Sequence, residues 1–193
     1  MMVGVYIFTR LSYLSHYQLI LWLSLVSLFF HQLEEYRIAG TFPGMLNKVI
    51  FKSNAPDRYP LNQNSALVIN VFIGWAVYFL AALLAEKAVW LGIASILISF
   101  GNILAHTFLF NLKGRTWYNA GLASCWLCFA PVIYCFFLIL SSHNLAGRND
   151  YLIGILLGIF LNIAGVFGMI KLLADRNTSY IFPPGNMLPT KPD

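Results

Sequence analysis

The stretch YQLILWLSLVSLFF (Tyr17–Phe30) runs without a linker into HQLEEY (His31–Tyr36), and this junction decides the fold. Fourteen largely apolar residues end in three ionisable groups, His31, Glu34 and Glu35. In a soluble helix that would be unremarkable, but here the run is long enough to reach a membrane boundary. An ionisable side chain there costs roughly 2.5–3.5 kcal/mol even on the lenient insertion scale. Three together call for a partner, a wet cavity or a cation, which makes them the first place to look for function.

Composition supports the membrane reading. Of 193 residues 59% are hydrophobic and only 10% charged, against about 25% charged in soluble domains, and the mean hydropathy is +0.72. The apolar residues fall into blocks of about the 20 residues that cross a bilayer as a helix. They run from about Leu11 to Tyr36, Ser65 to Ala85, Ala88 to Asn111, Trp117 to Leu140, and Tyr151 to Ala174. The expected fold is therefore all-α, a polytopic membrane bundle of five transmembrane helices in one domain (1–174), followed by a tail (175–193). A barrel is not expected, because the blocks are continuous and do not alternate over about ten residues. A cleaved signal peptide is not expected either: Arg10 precedes the first block, but His31, Glu34 and Glu35 end it without a small-residue cleavage pattern.

Orientation follows from Lys and Arg, which concentrate in short cytoplasmic loops. With five crossings, Arg10, Lys87 and Arg148 share one side. The other holds Arg37, Lys48, Lys52, Arg58, Lys113, Arg115, Lys171, Arg176 and Lys191. A multi-pass protein of the cytoplasmic or inner membrane is expected, with its amino terminus outside and its carboxyl terminus in the cytoplasm. The net charge of +5 is then an orientation signal. Basic residues scattered around membrane ends form no nucleic-acid surface.

This topology brings the unusual polar residues to one depth. The first helix ends at the cytoplasmic face with His31, Glu34 and Glu35. The third ends there too, with Asn102 and with His106, which precedes Lys113 by roughly 10 Å of helix. The fourth begins there with Tyr118, Asn119 and Gly121. Residues three or four apart share a helix face, so Ser24, Ser27, His31 and Glu34 or Glu35 form one polar stripe, and Ser95, Ser99, Asn102 and His106 another. Two such stripes turn toward each other and away from lipid, so His31 and His106 should face one cavity.

The same residues carry a resemblance. His31-x-x-Glu34-Glu35 at a helix end, Asn102-x-x-x-His106, and then Tyr118-Asn119-Ala120-Gly121 resemble, in order and spacing from about Leu28 to Pro131, the HXXEE-domain proteins. Ala120 stands where that family usually has Pro, and Ser124 where a Thr often follows. Pro would favour the first turn of a helix, and Ala permits it. The family has no assigned reaction, so the resemblance implies an active site and not a chemistry.

Three chemistries suit these side chains. His31 and His106 with Glu34 or Glu35 could hold a divalent metal, zinc or iron, with a position left open for substrate, and Tyr118 and Asn102 would orient the ligands by hydrogen bonds. Without metal, a His and a Glu could move protons on a lipid-soluble substrate, as an isomerase does. Third, the set could be a proton or ion path in a small transporter. No internal repeat of the kind transporters show is present, which tilts the reading to a metal-dependent membrane enzyme, hydrolase-like or oxidoreductase, working at the cytoplasmic face. The bland alternative is that the polar residues only tie helices together or point into headgroup water.

Other features read as structural. Cys125 and Cys128, with Cys135 a heptad later, have no second pair to complete a zinc site and read as small hydrophobes. Gly154 and Gly158 form a small-residue face for packing in the bundle or in a homodimer. His16 and His143 fall at the outer face without acidic neighbours in sequence. In the cytoplasmic connection 37–64, Met45, Leu46, Val49 and Ile50 are apolar at helical spacing, as in an interfacial helix. That helix would be a lipid-facing anchor or a roof over the site. The tail, with Pro183, Pro184, Pro189 and Pro192, reads as irregular or flexible.

Overall fold

The computed structural model describes residues 13–189, so Arg10 and Leu11 at the start of the first block and Lys191 and Pro192 in the tail lie outside the described residues. Every regular element among them is helical. Helix α1 (16–38) opens on Ser15, whose Oγ accepts from Gln18 N at 2.9 Å as an N-cap does. Its inner face is Tyr17, Leu21, Ser24, Leu25, Leu28 and His31, all buried. A short helix α2 (42–50) follows, then α3 (63–84), α4 (89–114), α5 (Leu122–Ser142) and α6 (Arg148–Leu172).

Three helical runs are long and apolar enough to cross a membrane: Gln63–Gly114, Leu122–Ser142 and Arg148–Leu172. In each, only 28% of the most apolar window is buried by the protein. Large side chains such as Phe72, Trp126, Leu127, Phe160 and Ile163 are exposed, which is a surface suited to lipid. Five such runs were expected, and the difference has two causes. The first run holds 52 residues, about 78 Å as a straight helix, but it reverses at Ala85 (φ +44). Its halves α3 and α4 then pack together, joined by Tyr78 Oη and Ser99 Oγ at 2.7 Å. Helix α1 does not qualify by hydropathy, because His16, Gln18, His31, Gln32 and the glutamates sit within it.

Glycine decides how α6 docks. A Cβ at Gly154 would stand 2.7 Å from the Trp90 carbonyl oxygen and from Ile93 Cβ, and one at Gly158 2.7 Å from Leu97 Cβ. The small-residue face read from sequence is thus occupied by α4 within the chain.

The 37–64 connection and the tail are both docked on the bundle. Helix α2 is a roof, with Met45, Leu46 and Asn47 buried. Asn47 pins the loop behind it, donating to the carbonyls of Pro56 and Leu61 at 2.8 Å and accepting from Leu61 N at 3.0 Å. The tail lacks long helix but is docked, not loose. Phe182 is buried and stacks on Tyr36. Asn186 Nδ2 donates to the carbonyls of Tyr36 (3.1 Å) and Gly40 (2.6 Å), groups left over where α1 ends. The tail and the 37–64 connection therefore lie at the same end of the bundle.

Candidate functional site

At that end the helices widen. The π-helical segments Glu34–Ile38, Ile69–Trp75, Ala105–Phe110, Cys125–Phe129 and Leu161–Gly168 carry Glu34, Glu35, Asn70, His106, Cys125 and Val166. Wide turns of this kind concentrate at functional sites. His31, Glu35 and His106 are all buried, and their rings and carboxylate meet. The two imidazoles stand edge to face with centroids 4.9 Å apart. Glu35 Oε1 lies 3.4 Å from His31 Nε2 and 3.2 Å from His106 Nε2.

The outer nitrogens are held by hydrogen bonds whose directions fix the tautomers. Asn119 Nδ2 donates to the His106 carbonyl and to Asn111 Oδ1, both at 2.8 Å. Its Oδ1 is therefore the acceptor 2.5 Å from His106 Nδ1, and Nδ1 carries the proton. Ser124 Oγ donates to Glu34 Oε2 at 2.6 Å, so it accepts from His31 Nδ1 at 3.0 Å. In both neutral rings the lone pair is then on Nε2. Neither Nε2 has an aligned hydrogen-bond partner, and both face the Glu35 carboxylate.

Sequence left Glu34 and Glu35 interchangeable; the structure separates them. Four hydrogen bonds take up Glu34: Tyr118 Oη (2.8 Å) and Ala123 N (3.2 Å) donate to Oε1, while Ser124 N (2.7 Å) and Ser124 Oγ donate to Oε2. It thereby caps the amino end of α5, where a carboxylate is favoured by free N–H groups and the helix dipole. Tyr118 lies in the loop before α5, and its hydroxyl is pushed up to about 12 by desolvation first and then by the Glu34 hydrogen bond and charge, so it stays a donor.

Asn119, not Asn102, hydrogen-bonds the His106 ring. The Asn102 amide donates to Ile98 O of its own helix at 3.1 Å and lines the cavity beside Glu35. Tyr118 orients Glu34 and not the histidines. Ser124, noted in the sequence only as a replacement for Thr, is the residue that joins Glu34 to His31. Gly121 has two reasons to be glycine: its φ is +108, and a Cβ there would overlap the His106 ring and stand 2.8 Å from His31 Cε1. Above the pair, Phe42 of α2 stacks on His106 at 5.9 Å.

Cys125 is buried with Sγ 3.8 Å from His31 Nδ1. His31, His106 and Cys125 offer atoms within 4.8 Å of one another, close enough to hold one ion, and among the described residues this is the group with that property. At the opposite end, His16 and His143 share a 430 Å³ cleft with Glu86, so they do have an acidic neighbour. Sequence hid it because Glu86 is far from both along the chain.

Against family models, residues 22–136 match the one described as a protein of unknown function with an HXXEE motif. The chain belongs to the HXXEE family. The match holds every residue of the His31–Glu35–His106 centre and of the Asn119 and Ser124 supports. Comparison with curated proteins and with solved structures finds no match.

Proposed function

We propose that this HXXEE protein is a small metal-dependent membrane enzyme, with a divalent cation held by His31 Nε2, His106 Nε2 and the Glu35 carboxylate and acting on a lipid-soluble substrate. One observation carries the reading. With both rings neutral, hydrogen-bond direction leaves two imidazole lone pairs facing the Glu35 carboxylate. Such a cluster is repulsive unless a metal ion or a proton sits in it, and the metal ion satisfies all three groups at once.

The spacing agrees. A charge-assisted N–H···O bond is about 2.7–2.9 Å, shorter than the 3.2 and 3.4 Å found here. Two ligands each about 2.0–2.1 Å from a tetrahedral zinc ion stand about 3.3–3.4 Å apart. Two His and a carboxylate is also a donor set of non-haem iron. Cys125 approaches the wrong nitrogen of His31, the one bonded to Ser124. When bound, the ion supplies Lewis acidity at the wall of the cavity. The protein's part is to hold the ligands, through Asn119 and Ser124, and to cover them with Phe42.

Five crossings are part of the proposal. Each half of the 52-residue run is long enough for one bilayer, and α1 packs among these helices over its whole length. With five, the Lys and Arg count puts the site, α2 and the tail on the cytoplasmic side and the amino terminus outside.

A second reading has support from the same contacts, since an imidazolium at His31 or His106 would also face Glu35 and serve metal-free proton transfer. Elemental analysis of detergent-purified protein separates them. We expect one zinc or iron per chain, lost in His31→Ala, His106→Ala and Glu35→Gln while membrane insertion persists. Metal-free protein with unimpaired activity would refute the metal reading in favour of the second.

A further inference from the structure

We infer that the site takes an amphiphile with a small uncharged polar head, such as an alcohol, aldehyde, amide or ester carbonyl, and that Asn70 and Asn102 position that head against Glu35. The inference rests on the catalytic reading above and adds the substrate class to it. A cavity of about 80 Å³ lies on the inner side of Glu35, with room for roughly half a dozen water-sized groups. Its polar lining is His31, Gln32, Glu35, Tyr36, Asn70 and Asn102, and no Lys or Arg is among the lining residues. The remaining wall is apolar, from α1, α3, α4 and α6, with Leu61 of the loop before α3 and Phe42 of α2.

The amides have bonding capacity left. Asn102 spends one Nδ2 hydrogen on Ile98 O, and the residue lines the cavity. Asn70 lines the same cavity beside Glu35 and Tyr36. Amides recognise neutral donors and acceptors, whereas a phosphate is held by Arg or Lys, and neither lines this cavity. Asn102 also stands where this cavity meets a second one of about 60 Å³, which runs beneath Phe42 and Leu46 between α4 and α6. A head gripped by Asn70 and Asn102 thus has its first carbons in an apolar trough.

The test uses protein in nanodiscs with two probes, 1-dodecanol and dodecyl phosphate. At about tenfold excess over its Kd, dodecanol should raise the apparent Tm of the wild type by about 3–6 °C. Dodecyl phosphate should give less, and the Asn70→Leu/Asn102→Leu double variant should lose the dodecanol shift while keeping the wild-type metal content. If that variant folds poorly, Asn102→Ala, which removes an amide bonded only to its own helix, makes the same comparison. An equal shift in the variants, a larger one from dodecyl phosphate, or none in the wild type overturns the inference. Metal content read in the same samples keeps the two proposals apart: a metal-free wild type whose dodecanol shift depends on the amides would sink the metal centre and leave this inference standing.

Discussion

His106 Nε2 lies 3.2 Å from Glu35 Oε1 while its Nδ1 lies 2.5 Å from Asn119 Oδ1, so the ring is clamped between an amide behind and a carboxylate in front. The clamp, more than the ring itself, makes His106 a ligand, because only an acceptor at Nδ1 forces the lone pair onto Nε2. Asn119→Ala should weaken metal binding about 10- to 100-fold, the usual cost of losing such a partner. Asn102→Ala should leave it unchanged. Competition against a fluorescent zinc chelator reads both, and equal losses in the two variants would show that Asn119 has no special hold on the ring.

The adjacent glutamates should part company. Glu35→Gln should abolish bound metal with little change in fold, since Gln keeps the volume. Glu34→Ala leaves Ala123 N, Ser124 N and the Tyr118 hydroxyl without their acceptor. Loss of a helix cap costs about 0.5–2 kcal/mol, and metal affinity should fall only as far as Ser124 slackens its hold on His31. Thermal unfolding beside metal analysis checks this; metal loss in Glu34→Ala as complete as in Glu35→Gln would mean the first glutamate is a ligand as well.

Gly121→Ala should be among the most damaging single-methyl changes in the chain. A non-glycine residue at φ +108 carries about 1–3 kcal/mol of strain, and the new methyl would push into both imidazoles. Gly168→Ala is the contrast, because there a Cβ meets nothing closer than 3.7 Å and helix propensity favours Ala. Expression level and Tm of the two variants should move in opposite directions, or Gly121 down and Gly168 not at all.

Much of this was legible in the sequence, for identifiable reasons. Hydropathy gave the helical membrane class, because lipid leaves the backbone few other choices. The i, i+4 spacing of His31 and Glu35 put them on one face, and topology put His106 at their depth. What escaped was anything set by a single rotation. Glu34 and Glu35 differ by one helical step, and only the start of α5 beside α1 shows which one turns to cap it. Asn119 and Ser124 matter through hydrogen-bond direction, which spacing does not encode. The reversal at Ala85, by contrast, was legible, since it falls at the polar pair Glu86-Lys87 between the second and third apolar blocks. Tail docking depends on contacts 146 and 150 residues apart in the chain, beyond any local pattern.

The tail gives the last prediction. It closes over the end of α1 through Asn186 and Phe182, and Gly44 of the roof helix makes room for it: a Cβ there would stand 2.7 Å from Leu188 N and 2.8 Å from Met187 Cα. Those are backbone atoms, which cannot swing aside as a side-chain end can, so Gly44→Ala must lift the tail off the roof. Asn186→Ala should do the same more gently, because it deletes two hydrogen bonds worth about 1 kcal/mol each without adding bulk. If the tail and roof act as one unit, both variants should expose the same bonds to protease: those after Arg37, Lys48, Lys52 and Arg58, and after Lys171 and Arg176 in the stretch leading into the tail. Trypsin added to inverted, inside-out vesicles reads this, with Gly44→Ala cut fastest and wild type slowest. Cleavage in right-side-out vesicles instead would reverse the proposed orientation, and wild-type rates in both variants would show that the docked tail contributes nothing to closing the roof.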